Sequence, residues 1–182
     1  MAGVLRLFVA VYPPAEAAAA ALKLLEGVVP LEPHRTTPVN QVHMTLQFVG
    51  ETAERELPEV QESVRRSAAG VPCFDLRPTR LVTMPDRGDP RLIAMQTDAP
   101  GPLLEVQQRL VKRLARKPGS GSRFVPHITL LRFDNTSRAA RVDAPVCLPE
   151  FVVTAIVLVR SVLRPTGAEH IPVETVSLEP QR

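Results

Sequence analysis

Tryptophan is absent from this 182-residue chain, and seven phenylalanines and tyrosines are all the aromatic residues it carries. Its core must therefore be aliphatic. Cysteine is nearly as scarce. Cys73 and Cys147 form no Cys-x-x-Cys pair and no Cys/His ligand spacing, which excludes a disulfide framework and a zinc knuckle. Long apolar runs are missing too. The stretch Leu7 to Val11 ends at Pro13-Pro14 and Glu16 and fits neither a signal peptide nor a membrane span. The expectation is a cytoplasmic protein with no membrane partner. No Walker or Rossmann glycine pattern occurs, and no Gly-x-Ser-x-Gly elbow, so nucleotide-loop and serine-triad chemistry lose their usual signatures.

What is present fits one soluble globular domain over residues 1–182. Hydrophobic residues make up 45% and charged residues 23%, an ordinary balance. Nineteen prolines imply many chain breaks and short elements. The net charge of +3 says little about partners, but its distribution says more. From Arg109 to Arg141 nine basic residues stand against one acidic, Asp134, a local balance of +8. A surface of that sign favours phosphate-bearing ligands, although a solvated helix face reads the same way.

Along the chain, Arg6 to Tyr12 reads as a buried strand, followed by an Ala-rich helix to about Glu26 with Leu22, Leu25 and Val29 as its stripe. Val29 to Asn40 reads as a proline-punctuated loop. A helix is expected from about Pro58 to Ala69, stopped by Gly70. Strands are expected over Phe74 to Val82 and Arg91 to Thr97, and the clearest amphipathic helix over Pro100 to Arg116, with Leu103, Val106, Leu110 and Leu114 inward. Lys117 to Ser122 is a flexible connection. Phe151 to Ser161 reads as a central strand and Val173 to Leu178 as the last one, after a turn at Arg164 to Gly167. The order predicts two comparable α+β lobes; if each contributes one His-x-Thr strand, the motifs face each other across a groove.

Two segments share a pattern. Val42 to Gly50 and Phe124 to Phe133 each carry His-x-Thr-Leu in an apolar strand context, as His43-Met44-Thr45-Leu46 and His127-Ile128-Thr129-Leu130. Period-two alternation puts His and Thr on one face, with Met44, Leu46 and Phe48, or Ile128 and Leu130, on the other. A third His-x-Thr, His34-Arg35-Thr36, has no apolar backing and reads as a decoy in a loop. If the two strands face each other, one imidazole can accept a proton while the other donates one, since histidine titrates near pH ~6.5. The two threonine hydroxyls would hold a phosphoryl group between them. Two histidines without a carboxylate or thiolate at ligand spacing do not make a zinc site, so no metal and no cofactor are expected.

These motifs resemble those of the two-histidine phosphoesterase superfamily, and within it the RNA 2′,3′-cyclic phosphodiesterase family, long labelled 2′-5′ RNA ligase. The likeness extends to Arg6 through Val11 and to Ser161-x-Leu163-x-Pro165-x-Gly167. It implies a bilobal α+β fold, two antiparallel sheets with helices packed outside and pseudo-twofold lobes around a central groove, and metal-free hydrolysis of an RNA 2′,3′-cyclic phosphate to a 2′-phosphomonoester. It also implies His43 as general acid, His127 as general base, and Thr45 and Thr129 as phosphate binders. The family's arginine after the second motif falls on Arg132, but strict alternation turns Arg132 away from His127 unless the strand bends. A tyrosine common in the family is replaced by His170, for which two readings stand: a stacking or hydrogen-bonding substitute for that tyrosine, or, the favoured one, an exposed loop residue. RNA ends or cyclic nucleotides are the expected substrates and a monomer the expected state. Ligation by the same site, or a binding module that turns nothing over, remain as alternatives.

Overall fold

The computed structural model of the chain describes residues 3–28, 34–115, 124–134, 141–164 and 167–181. Among them lie eleven strands and three α-helices: β1 (Val4–Val11), α1 (Ala15–Lys23), β2 (His34–Thr36), β3 (Met44–Ala53), α2 (Leu57–Ala68), β4 (Phe74–Leu76), β5 (Pro78–Met84), β6 (Leu92–Thr97), α3 (Gly101–Leu114), β7 (His127–Phe133), β8 (Asp143–Pro145), β9 (Phe151–Val153), β10 (Ala155–Arg164) and β11 (Gly167–Ser177). Proline marks the helix starts. Pro14 and Pro100 precede α1 and α3, while Pro58 and Pro102 sit in the first turns of α2 and α3, where the missing N–H has no intrahelical partner to lose. Gly70 takes φ +74° just past α2, as a helix stop requires.

Two antiparallel sheets carry the architecture. One runs β11-β10-β1-β3 and the other β2-β7-β6-β5-β8, with β4 and β9 forming a small third pair. The expected α+β arrangement is present. Strand β1 shows how the first sheet divides its faces. Leu5, Leu7, Val9 and Val11 enter the main core with the helices, and Phe8 and Ala10 form a second, smaller cluster with Val159 on the opposite face. Helix α3 buries Leu103, Val106, Leu110 and Leu114 as the periodicity requires. Each leucine so buried contributes about 1.5–3 kcal/mol relative to exposure.

The structure corrects several boundaries. The apolar runs at 74–82 and 151–161 are each two strands. Arg77 breaks the first, because its N–H donates to Asp98 Oδ1 (2.9 Å) and its carbonyl accepts from Asp98 N (2.9 Å). β4 then pairs with β9, and β5 pairs with β6. Thr154 breaks the second, its carbonyl accepting from Leu178 N (2.8 Å). Helix α1 turns Ala18 and Ala21 inward while Leu22 is half-buried, because an alanine run offers no periodicity to read. It gives way to a 3-10 turn at Leu24–Gly27 that buries Leu25. Val29, the linker 117–122 and Pro165-Thr166 lie outside the described residues. The last strand begins at Gly167, six residues before the apolar signal, since its first half is mostly exposed and shows no core pattern. The decoy tripeptide is also a strand: His34–Thr36 is edge strand β2, paired with Phe133 to Leu131 of β7.

Candidate active site

Strand β3 lies at the edge of the first sheet and packs against β7 of the second, which brings the two motif-bearing strands together. Each histidine is held the same way. His43 Nδ1 lies 2.7 Å from the Gln41 carbonyl, and His127 Nδ1 lies 2.8 Å from the Val125 carbonyl. A carbonyl only accepts, so both Nδ1 atoms carry the proton and both Nε2 atoms are the reactive ones. His43 Nε2 is 3.2 Å from Thr45 Oγ1. Among the described residues the Thr129 hydroxyl has no partner, and its half-buried side chain shares the His127 face.

Register irregularities decide what else reaches this face. Cross-strand partners share a face of a sheet, and a bulge lets two residues oppose one. In β7, Ile93 pairs with Leu131 and Ala94 with Thr129, so Leu130 is the extra residue and both Leu130 and Leu131 are buried. The alternation flips there, and Arg132 returns to the face of His127 and Thr129. The bend that the sequence required for Arg132 exists. In β3, Val9 pairs with Gln47 and Ala10 with Thr45, making Leu46 the extra residue. Phe48 therefore leaves the core face assigned to it by strict alternation. It is 65% exposed and pairs with Phe8, the ring centroids 6.3 Å apart.

Around His43 three rings converge: Phe8 at 5.1 Å, Tyr12 at 5.5 Å and His170 at 5.0 Å between centroids. His170 is thus no loop residue. It sits on β11 opposite Ser161 of β10, edge-on to both His43 and Phe8. Phe48 carried no readable sequence signal and His170 only its place at the family's tyrosine, since their placement depends on a bulge and on a long hairpin.

The electrostatics follow from this crowding. Burial chiefly lowers the His43 pKa to about 4; its bond to Gln41 opposes the shift, while the charges of His170, Arg132 and His127 reinforce it. Burial likewise holds His170 below the usual histidine range, with Arg132 adding to the effect. Tyr12 is pushed up to about 12 by burial. Arg132 is itself partly desolvated, which lowers its pKa, and it has no hydrogen bond or ion pair among the described residues. Asp134, two positions on, is engaged by Arg35 at 2.7 Å. Among the described residues nothing compensates this cation, whose field reaches both His43 and His170.

The rest of the basic segment does not converge here. Arg109, Lys112 and Arg113 join Arg66 in lining a separate cleft of about 590 Å³, where Arg109 is bound to Glu105 and to the Ala69 carbonyl. Arg141 donates to the carbonyls of Pro85 and Gly88. Arg116, Lys117, Arg123 and Arg138 lie outside the described residues. Among the described residues no cluster of three or more His, Cys, Asp or Glu side chains forms, and no helix is long and apolar enough to cross a membrane.

The fold is that of a class of α+β protein in which two antiparallel sheets each supply one His-x-Thr strand, here β3 and β7 in contact. The chain belongs to the 2′-5′ RNA ligase superfamily, whose family pattern matches residues 10–163. It is 34% identical over 181 residues to a Thermus thermophilus protein named RNA 2′,3′-cyclic phosphodiesterase, covering 96% of this chain and 90% of that one. An Aquifex aeolicus protein of the same name is 30% identical over 143 residues, covering 73% and 76%. Among solved structures, TT0787 of Thermus thermophilus superposes with a TM-score of 0.82 at 32% identity, covering 97% and 100% of the two chains. Escherichia coli LigT complexed with 3′-AMP gives 0.82 at 24% identity, covering 97% and 99%, a likeness of fold.

Proposed function

We propose that this chain hydrolyses 2′,3′-cyclic phosphodiester ends of RNA, or the corresponding cyclic nucleotides, to 2′-phosphomonoesters. The observation that carries the reading is the matched pair of imidazoles. Each has its Nδ1 proton tied to the carbonyl two residues upstream, on strands that touch, with Arg132, uncompensated among the described residues, acting on His43. The names of the two curated relatives supply the substrate class.

In the mechanism this supports, the cyclic phosphate binds against Arg132 with its non-bridging oxygens toward the hydroxyls of Thr45 and Thr129. His127 Nε2 takes a proton from water as the water oxygen bonds to phosphorus. The bond from phosphorus to O3′ breaks, and His43 Nε2–H protonates the departing oxygen. The products are a 2′-phosphomonoester and a free 3′ hydroxyl. The histidines end with exchanged protonation and reset through solvent. Free His43 is neutral at pH 7, so its acid role requires the substrate anion. That anion offsets the cation that helps depress its pKa and stabilises the imidazolium. Phe48, exposed beside the motif, offers a face for a nucleobase to stack on. No metal takes part in this scheme, and the reaction belongs in the cytoplasm with the chain as a monomer.

The test is chromatography of a 2′,3′-cyclic nucleotide after incubation with the protein and EDTA. The expected result is a 2′-monophosphate, with turnover lowered about 10²–10⁴-fold in His43→Ala and in His127→Ala. Full activity in either folded variant refutes the assignment, and loss of activity on chelation refutes metal independence. The superfamily's ligase name supports a second reading, the reverse joining of ends by the same residues. A defined RNA pair carried to equilibrium separates the two, because water at ~55 M favours hydrolysis unless the ends are held together.

A further inference from the structure

His170 is the one imidazole in the groove that the scheme above leaves unused. Its Nδ1 is fully buried and has no hydrogen-bond partner among the described residues. Its ring is pinned edge-on against His43 and Phe8, each 5.0 Å away between centroids, and its backbone is paired to Ser161 in the β10–β11 hairpin. A buried N–H without an acceptor costs about 1–3 kcal/mol, and an unpaired buried charge costs more, whereas an unpaired lone pair is the least expensive state of the three. The proton of a neutral His170 therefore belongs on Nε2. Among the described residues no partner holds that atom, which leaves its N–H available beside the His43 ring, 5.0 Å away between centroids. The two rings lie 5.0 Å apart between centroids and Arg132 of β7 acts electrostatically on both, so an anion bound at His43 lies beside His170 as well.

We infer that His170 is a substrate-binding residue, a neutral Nε2–H donor to an oxygen of the phosphate that Arg132 holds. It is one more fixed donor to the anion, and unlike an imidazolium it adds no positive charge next to His43. The inference rests on the proposed reaction for its substrate, but anion binding itself can be measured without turnover.

Three variants are compared with the wild type. His170→Phe keeps a flat ring against His43 and Phe8 and removes the donor. His170→Gln places an amide N–H near the Nε2 position, and His170→Ala removes both ring and donor. By calorimetry, inorganic phosphate should bind His170→Phe and His170→Ala about tenfold more weakly, and His170→Gln within about threefold of the wild type. KM for a 2′,3′-cyclic nucleotide should move in parallel while kcat stays within about twofold. Long-range ¹H–¹⁵N NMR at pH 7.5 should show His170 protonated on Nε2. Unchanged phosphate affinity in folded His170→Phe overturns the inference. So does a fall in kcat at constant KM, which would make the ring a support for His43 alone, and so does an Nδ1–H tautomer. If the wild type binds phosphate but turns over no cyclic nucleotide, the reaction fails while the phosphate arm still decides the role of His170.

Discussion

Bound anion should move the His43 pKa by an amount that can be worked out. In the free protein burial and three neighbouring cations or potential cations hold it at about 4. A unit negative charge roughly 5 Å from the ring, at an effective dielectric near 20, is worth about 332/(20 × 5), or about 3 kcal/mol. That corresponds to about 2 pK units, enough to bring His43 to roughly 6 in the complex. Dimethyl phosphate is a suitable probe because it is a tetrahedral monoanion that does not titrate between pH 4 and 8. Histidine Cε1–Hε1 resonances, followed over that range with and without saturating dimethyl phosphate, read the shift directly. His43→Gln assigns the signal. The expected outcome is a His43 resonance that scarcely moves above pH 5 in the free protein and titrates near 6 with the anion bound. Arg132→Gln should raise the free value, since a cation that disfavours imidazolium is gone. A free His43 that titrates at 6 or above refutes the account of burial. A low value that the bound anion leaves unchanged refutes the account of how the general acid is loaded.

The same burial makes stability fall with acid. The folded pKa of His43 lies below its unfolded value, so its contribution is intact above pH 6.5 and lost as pH falls toward 4, where the unfolded chain binds a proton that the folded chain does not. At 1.36 kcal/mol per unit the loss approaches about 3 kcal/mol by pH 4, less whatever solvent screening removes from a half-buried ring. Urea unfolding at several pH values should show a shallower acid slope in His43→Gln, and an identical slope contradicts the assignment. Leu130, fully buried at the bulge of β7, should cost about 2–5 kcal/mol when truncated to alanine, measured by the same unfolding curves. Thr37→Val removes the hydroxyl that donates to the Thr129 carbonyl (3.1 Å), which should lower stability by about 1 kcal/mol and raise KM more than it lowers kcat. A fall in kcat alone would show that the bulge does not serve Arg132.

How far the chain could be read ahead of its structure turned on whether a signal was local. The amphipathic stripe of α3 and the two His-x-Thr-Leu strands are local, and they stand where the sequence puts them. Phe48, Arg132 and His34–Thr36 are not local. Period-two alternation assigns a residue to a face only while every residue is paired one-to-one, and a single unpaired residue inverts everything after it. Both motif strands carry such a residue directly after the threonine, at Leu46 and at Leu130. In both, the position five after the histidine consequently returns to the groove. One strand delivers an exposed aromatic there and the other an unpaired cation, so a repeated backbone device gives the two halves of the site different tools. The supposed decoy helps hold the second bulge. Thr36 pairs with Leu131, and Thr37 donates its backbone N–H to the Leu130 carbonyl (2.8 Å) and its hydroxyl to that of Thr129. The carbonyls of the two residues at the bulge thereby find donors on the β2 side. The segment between Pro33 and Pro38, which has no apolar pattern of its own, acts on the site through the backbone alone, a role that side-chain patterning cannot reveal.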